Sequence, residues 1–199
     1  MRDVDKETFV QRFQLHAPLG YHPESILRVS HLKPLDLRKA AVLIGLVERE
    51  SGLNVILTKR SNHLRHHPGQ ISFPGGKLEP DDHSLQTAAI RETYEEIGIP
   101  ADKIKVFGHL PPLSTISRFS VTPILAFIDH DYSLKLDTNE VETVFEVPLS
   151  FLFNQSNLYS QHFIVKNTPH RLFAIPYQGH FIWGVTAQII QALQVQLGT

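Results

Sequence analysis

The sequence predicts an α+β protein, a mixed β-sheet with helices packed on its faces in an α/β/α sandwich. Short β-branched apolar runs outnumber helical patterns, and the two long helical patterns of the body stand far apart, at about residues 84–97 and 186–197. Their order lacks the regular strand–helix alternation of a doubly wound parallel sheet. With 199 residues and 42% hydrophobic content, the chain can bury a sizeable core as one domain of ordinary size.

The elements follow in order. Phe9, Val10 and Phe13 recur at helical spacing, so residues 5–15 read as a short packing helix, and Pro18 and Pro23 read as a link to the main body. Residues 1–30 are therefore expected to form a helical extension packed on a body spanning 31–199. The apolar run 40–47 and the run 54–58 flank the turn-prone Ser51-Gly52 and predict a hairpin. Further strands are expected at 70–73, 104–110, 119–128, 141–147, 162–165, 171–176 and 180–183, with Pro111-Pro112 making a local turn. On the terminal helix, Ile189, Ile190 and Leu193 fit packing.

Composition narrows the function. Lys plus Arg number 19 against 20 Asp plus Glu, a formal net charge of -1, unlike the basic balance of a chain whose main partner is nucleic acid. Cysteine is absent, which excludes disulfides, thiolate metal ligands and a cysteine nucleophile together. The charged start Met1-Arg2-Asp3-Val4-Asp5-Lys6-Glu7 is unlike a signal peptide, and no run approaches the ~20 apolar residues of a membrane span. A soluble, cytoplasmic protein with neither nucleic-acid nor membrane partners is expected.

The most informative segment runs from Phe73-Pro74-Gly75-Gly76-Lys77 through Asp82 to Arg91-Glu92-Thr93-Tyr94-Glu95-Glu96-Ile97-Gly98. Asp82 is expected to cap the helix, while Gly98 and Pro100 stop it. Leu85, Ala89, Thr93 and Ile97 share one side, and Glu92, Glu95 and Glu96 cluster beside them within about 100°. Spacings of three and four residues separate carboxylates by rises of roughly 4.5 and 6 Å, a repulsive arrangement that a hard divalent cation relieves. Oxygen donors without cysteine favour Mg²⁺ or Mn²⁺ over zinc. Arg91 stands four residues before Glu95 and is suited to orient its carboxylate. Taken alone, such a run is ordinarily a solvated helix face. Here Gly76, Arg91, Glu92, Glu95, Glu96 and Gly98 stand together at fixed offsets.

Those offsets resemble the box of the Nudix hydrolases: Gly, five residues, Glu, seven residues, Arg-Glu, an aliphatic, any residue, Glu-Glu, any residue, Gly and an aliphatic. This chain departs in having Asp82 in place of the first Glu, eight residues before Arg91, and Thr93 at the aliphatic position. Upstream, Leu57-Thr58-Lys59-Arg60-Ser61, Arg65 and Gly69 precede Phe73-Pro74-Gly75-Gly76. This looks like the coenzyme A pyrophosphatase group, whose box commonly carries the same one-residue lengthening. The resemblance extends over about residues 38–195.

The resemblance implies a Nudix-like sandwich and metal-dependent cleavage of the diphosphate of coenzyme A, giving adenosine 3′,5′-bisphosphate and 4′-phosphopantetheine, with acyl derivatives as further substrates. Glu92, Glu95 and Glu96 would ligate Mg²⁺ or Mn²⁺, with a backbone carbonyl of Gly76 or Gly75, and Lys77 would meet a phosphate oxygen. Gly75-Gly76 also reads simply as a tight turn. With Arg91, Glu95 and Glu96 in the catalytic set, Glu140 is the first candidate for an added base or ligand, or else a solvated loop acid. Arg60 and Arg65 are candidates for a 3′-phosphate, or for structural salt bridges. The family also admits a homodimer, whose interface no sequence feature specifies.

His63, His66 and His67 invite a zinc proposal, but ordinary polar-loop roles are favoured without Cys or a matching carboxylate. Phe151, Phe153, Phe163, Phe173, Tyr177, Phe181 and Trp183 either line a ligand channel or, for most of them, fill the core. Two other functions compete: hydrolysis of another nucleoside diphosphate derivative, such as ADP-ribose or a dinucleotide, and a noncatalytic ligand sensor on the same fold.

Overall fold

Asp5 opens the first helix, its carboxylate accepting from the Thr8 amide at 2.7 Å. The computed structural model describes residues 5–17, 19–165 and 167–198. Helix α1 (Lys6–Leu15) buries Phe9 and Phe13, and Val10 is half-buried. Pro18 lies outside the described residues. Pro23 does not belong to a link: it opens the five-residue α2 (Pro23–Leu27), in the first turn where its missing amide proton has no helical partner to lose.

The body begins with β1 (Arg38–Arg49) and β2 (Gly52–Arg60), the expected hairpin with longer arms. There follow β3 (Ile71–Ser72), β4 (Gly75–Lys77), α3 (Leu85–Ile97), β5 (Ile104–His109), β6 (Leu113–Ser114), β7 (Phe119–Ile128) and β8 (Val141–Pro148). The chain ends with α4 (Leu149–Leu152), β9 (Tyr159–Val165), β10 (Thr168–Tyr177), β11 (His180–Trp183) and α5 (Val185–Gln196). Every expected strand has a counterpart. The short β4, β6, α2 and α4 had no signal long enough to show periodicity.

The main sheet is mixed, as expected. Its central order is β3-β2-β1-β7-β5, with β1 and β7 parallel and the hairpin β1-β2 antiparallel. Strand β4 also pairs with β1, and β8 with β2. A second sheet has the order β11-β10-β9. Alternation along β1 sends Ala41, Leu43 and Val47 toward Ala88, Ala89 and Ile97 of α3. Ile44 and Leu46 point the other way, into a cluster with Phe9, Ile189, Ile190 and Leu193. The sheet thus lies between α3 on one face and α1 with α5 on the other. Among the described residues no helix is long and apolar enough to cross a membrane.

Not every aromatic belongs to the core. Phe153 and Phe173 are buried, whereas Phe163, Phe181 and Trp183 of the second sheet are exposed. Their strands have large apolar groups on faces that the main core does not cover.

One polar cluster locks the hairpin to β8. The Glu146 carboxylate accepts from Arg49 Nε at 3.0 Å, Tyr132 Oη at 2.7 Å and Asn54 Nδ2 at 2.9 Å. Although burial raises the Glu146 pKa, the hydrogen bonds from Arg49, Tyr132 and Asn54 together bring it below the ordinary value. Glu146→Ala leaves these donors unmatched and should lower stability by about 2–3 kcal/mol. Denaturant unfolding should show a lower midpoint with an unchanged slope.

Candidate active site

The site is built where β4 lies against α3. Gly75 and Gly76 do not form the expected tight turn: they run as strand, Gly76 opposite Ala41 and Gly75 opposite Val42. Gly75 has φ +152°, and a Cβ there would overlap the Ala41 carbonyl and Val42. A Cβ on Gly76 would instead occupy the space of the Glu92 carboxylate. The two glycines therefore serve different needs, close strand contact for Gly75 and carboxylate access for Gly76. Gly75→Ala should destabilise the protein strongly because backbone cannot yield as a flexible side chain does; a circular-dichroism melt would register the loss.

The helix limits agree with the expected 84–97 at both ends, but the capping residue at the start does not. Gly98 adopts φ +81° and closes the helix with its amide on the Tyr94 carbonyl. The N-cap is Ser84, whose hydroxyl accepts from the Thr87 amide at 3.0 Å, not Asp82. Asp82 instead faces Arg91. Its Oδ1 accepts from Arg91 Nε at 3.1 Å and its Oδ2 from Nη2 at 2.9 Å. This fork holds the Asp82 carboxyl below the usual carboxylate range.

Arg91 uses its remaining donors nearby. Nη2 also donates to the Lys77 carbonyl at 3.1 Å, while Nη1 donates to Glu95 Oε2 at 2.8 Å and lies 3.2 Å from Glu92 Oε1. One guanidinium therefore joins α3, β4 and the loop between them. The expected pairing with Glu95 is present, together with ties that the helical spacing alone did not disclose.

The three glutamates occupy different environments. Glu96 is only 4% exposed, unlike the solvated helix face that such a run taken alone suggests. Its Oε2 accepts from the Gly75 amide at a long 3.4 Å. Burial, followed by repulsion from Glu92, pushes its pKa up to about 8. Glu92 is partly buried, and burial raises its pKa against the opposing effect of Arg91. The Glu95 side chain is 53% exposed, held at one oxygen by Arg91. Among the described residues no group of three His, Asp or Glu side chains stands gathered as a metal site. Like charge still links the three acids: Glu95 raises the Glu92 pKa and Glu92 raises that of Glu96, while Arg91 Nη1 reaches both Glu92 and Glu95.

These residues nevertheless fit a hard divalent cation. Two carboxylates repel each other under partial burial, Glu96 has just one long hydrogen bond, and Gly76 leaves the space beside Glu92 unobstructed by a side chain. The donors are oxygen atoms, appropriate to Mg²⁺ or Mn²⁺.

Two further expected residues act on this pair through their charge. Arg60 acts electrostatically on Glu96, lowering its pKa, and Glu140 raises the pKa values of both Glu92 and Glu96 by like charge. Glu140 is positioned from its backbone: its carbonyl accepts from the Ser61 amide at 2.8 Å, and Ser61 Oγ donates to the Thr138 carbonyl at 3.0 Å. The same loop docks on the end of α3 through Asp137 N to the Glu96 carbonyl at 3.0 Å. Ser61 is a positioning residue that sequence reasoning quoted in a motif without assigning work to it.

Lys77 is exposed on β4, and Arg65, His63, His66 and His67 are exposed on the loop after β2. The Lys59 ammonium, in the same motif as Arg65, pairs with Glu142.

The comparisons agree with this architecture. A NUDIX domain model matches residues 36–163. The chain is 39% identical over 196 residues to an uncharacterised Nudix hydrolase, NudL, of Enterobacter sp. (strain 638), covering 98% of this chain and 96% of that one. It is 40% identical over 189 residues to an uncharacterised NudL of Yersinia pestis (strain Pestoides F), covering 95% and 93%. Among solved structures it is similar to the MutT protein from Methanosarcina mazei Go1, with a TM-score of 0.51, 20% identity and coverage of 81% and 94%. It is also similar to a Nudix hydrolase from Alicyclobacillus acidocaldarius, with a TM-score of 0.51, 19% identity and coverage of 82% and 96%. These structural likenesses speak to the fold alone. Domain match, near-full-length relatives and the Arg91-centred carboxylate site converge: the chain belongs to the Nudix hydrolases.

Proposed function

We propose that this protein hydrolyses the diphosphate of coenzyme A, and of acyl derivatives, to adenosine 3′,5′-bisphosphate and 4′-phosphopantetheine. The observation that supports the reading is the conjunction of the motif from Leu57 to Gly69 with the carboxylate helix: the Ser61 amide of that motif holds the Glu140 carbonyl at 2.8 Å, the Asp137 amide of the same loop holds the Glu96 carbonyl at 3.0 Å, and the Arg60 charge lowers the Glu96 pKa. In this reading residues 1–30 are a helical extension and 31–199 the catalytic body.

Glu92, Glu95, Glu96 and the Gly76 carbonyl would hold Mg²⁺ or Mn²⁺. When bound there, such an ion would supply Lewis-acid chemistry, lowering the negative charge on diphosphate oxygens and the pKa of water. Arg91 fixes the Glu95 and Glu92 carboxylates, and Asp82 fixes Arg91. Arg60, Lys77 and Arg65 bind phosphate oxygens. Glu140 receives a proton as water attacks phosphorus and the bridging P–O bond breaks, with its electrons passing to the departing phosphate.

Purified full-length chain should be incubated with coenzyme A, acyl derivatives, ADP-ribose and dinucleotides, with either metal, and the products resolved by mass. Coenzyme A should show the highest kcat/KM, and chelation should abolish its cleavage until metal is restored. Preference for ADP-ribose or a dinucleotide would overturn the substrate assignment; tight binding without turnover would support a sensor. Arg65→Ala should raise the KM for coenzyme A about fivefold to tenfold more than that for its 3′-dephospho form, through loss of a charge-assisted contact. Equal increases would remove Arg65 from that role.

A further inference from the structure

Away from the carboxylates, a cavity of about 350 Å³ lies where α2, the loop after β2 and the start of α5 meet. Arg28 lines it, just beyond α2, and its Nε is buried without a hydrogen-bond partner. Among the described residues no Asp or Glu lines the cavity. Burial lowers the Arg28 pKa, with no neighbouring acid opposing that shift. Such a cation is under-compensated in a way that Arg91 and Arg49 are not.

Other walls supply donors without committed acceptors. Ser25 is 5% exposed and its Oγ has no partner. Gln188 Nε2 is likewise buried and unpaired. Gly184, the N-cap of α5, supplies no side-chain cap, and Gly184 and Val185 at this helix start line the same cavity. Trp183, 40% exposed, adds an apolar wall.

A buried unpaired donor is unfavourable, and more so when charged. A cationic or wholly apolar ligand relieves neither Arg28 nor Gln188. An anion with several oxygens satisfies the guanidinium, amide, hydroxyl and helix end together. We propose that this cavity is a phosphate-binding subsite, taking a phosphate group whose attached organic part, where present, lies against Trp183.

Two sources share that chemistry: a terminal phosphomonoester of the substrate, or free phosphate acting as a separate ligand. A backbone tie joins the cavity wall to the strand end that carries Arg60: Gln70 lines the cavity while its carbonyl accepts from the Arg60 amide at 3.0 Å, and the Arg60 charge lowers the Glu96 pKa. The substrate source rests on the coenzyme A reading and makes Arg28, which lines the cavity, the 3′-phosphate partner in place of Arg65, which does not; the subsite itself does not depend on that reading.

The test uses full-length chain in chelator, melted with increasing inorganic phosphate and with chloride at matched ionic strength. Wild type should show a saturable, phosphate-specific rise in Tm; Arg28→Gln should abolish it, and Gln188→Leu should weaken it. Arg28→Gln should fold at least as stably as wild type without phosphate, since it removes an unpaired cation. No saturable rise in wild type, or the same rise in both variants, overturns the proposal.

Kinetics then distinguish the sources. If the substrate's own phosphate occupies the cavity, Arg28→Gln raises the KM for coenzyme A about tenfold more than for its 3′-dephospho form. If free phosphate is the ligand, the variant instead abolishes the response of turnover to added phosphate. Failure to cleave coenzyme A would defeat the substrate reading while leaving the melting result intact.

Discussion

Glu96→Gln should reduce kcat by about a hundredfold to a thousandfold, equivalent to about 3–4 kcal/mol of lost transition-state stabilisation. The same substitution should make the metal-free protein more stable at alkaline pH. Both effects follow from the proposed ligand role and the buried position of this carboxyl. Glutamine closely matches its shape but removes the negative oxygen required by a divalent ion and the charge opposed by burial and Glu92.

The pH dependence has a definite sign. With a folded pKa raised from 4.5 to about 8, Glu96 retains its proton in the native state while the unfolded chain has already lost it. This favours unfolding as pH rises between those values, so the contribution to native stability declines through the interval and levels above it. Melts of metal-free wild type should show this decline; Glu96→Gln should flatten it, and saturating Mg²⁺ should restore wild-type stability at the alkaline end. Wild-type turnover in the variant, together with an unchanged pH profile of melting, would refute both assignments.

The sheet elements were legible where chemistry repeats along the chain. Short continuous apolar, β-branched runs disclosed β1, β2 and β7, while the spacing of Ala89, Thr93 and Ile97 disclosed the buried side of α3. Strand β4 was not legible because it has three residues, two of them glycines that locally read as a turn; its pairing comes from β1, far upstream. Asp82 was assigned to the helix cap by proximity, yet Ser84 holds the capping geometry and releases Asp82 to meet Arg91. Residue spacing brought Glu92, Glu95 and Glu96 to one sector but gave no measure of burial. Packing then divided them into an exposed acid tied to arginine and a buried acid that resists ionisation. Most hidden of all was the cavity at Arg28, assembled from widely separated segments with no local motif.

Arg91→Ala should lower stability by about 2–3 kcal/mol and turnover by about tenfold to a hundredfold. Its guanidinium simultaneously satisfies Asp82, Glu95 and the Lys77 carbonyl, with Glu92 alongside. The Asp82 side chain is only 3% exposed beneath it, but water entering the truncated site would screen the remaining acid and moderate the loss. At about 2–4 °C per kcal/mol for a chain of this size, Tm should fall by roughly 4–12 °C. Arg91→Lys should restore charge but only part of activity, because one ammonium cannot reproduce the planar fork that spans three segments. Asp82→Asn in the Arg91→Ala background should recover stability by removing the stranded charge, but should not recover turnover because the carboxylates of α3 remain unoriented. Additive losses in both properties would mean that the two residues act independently, contrary to the bidentate geometry.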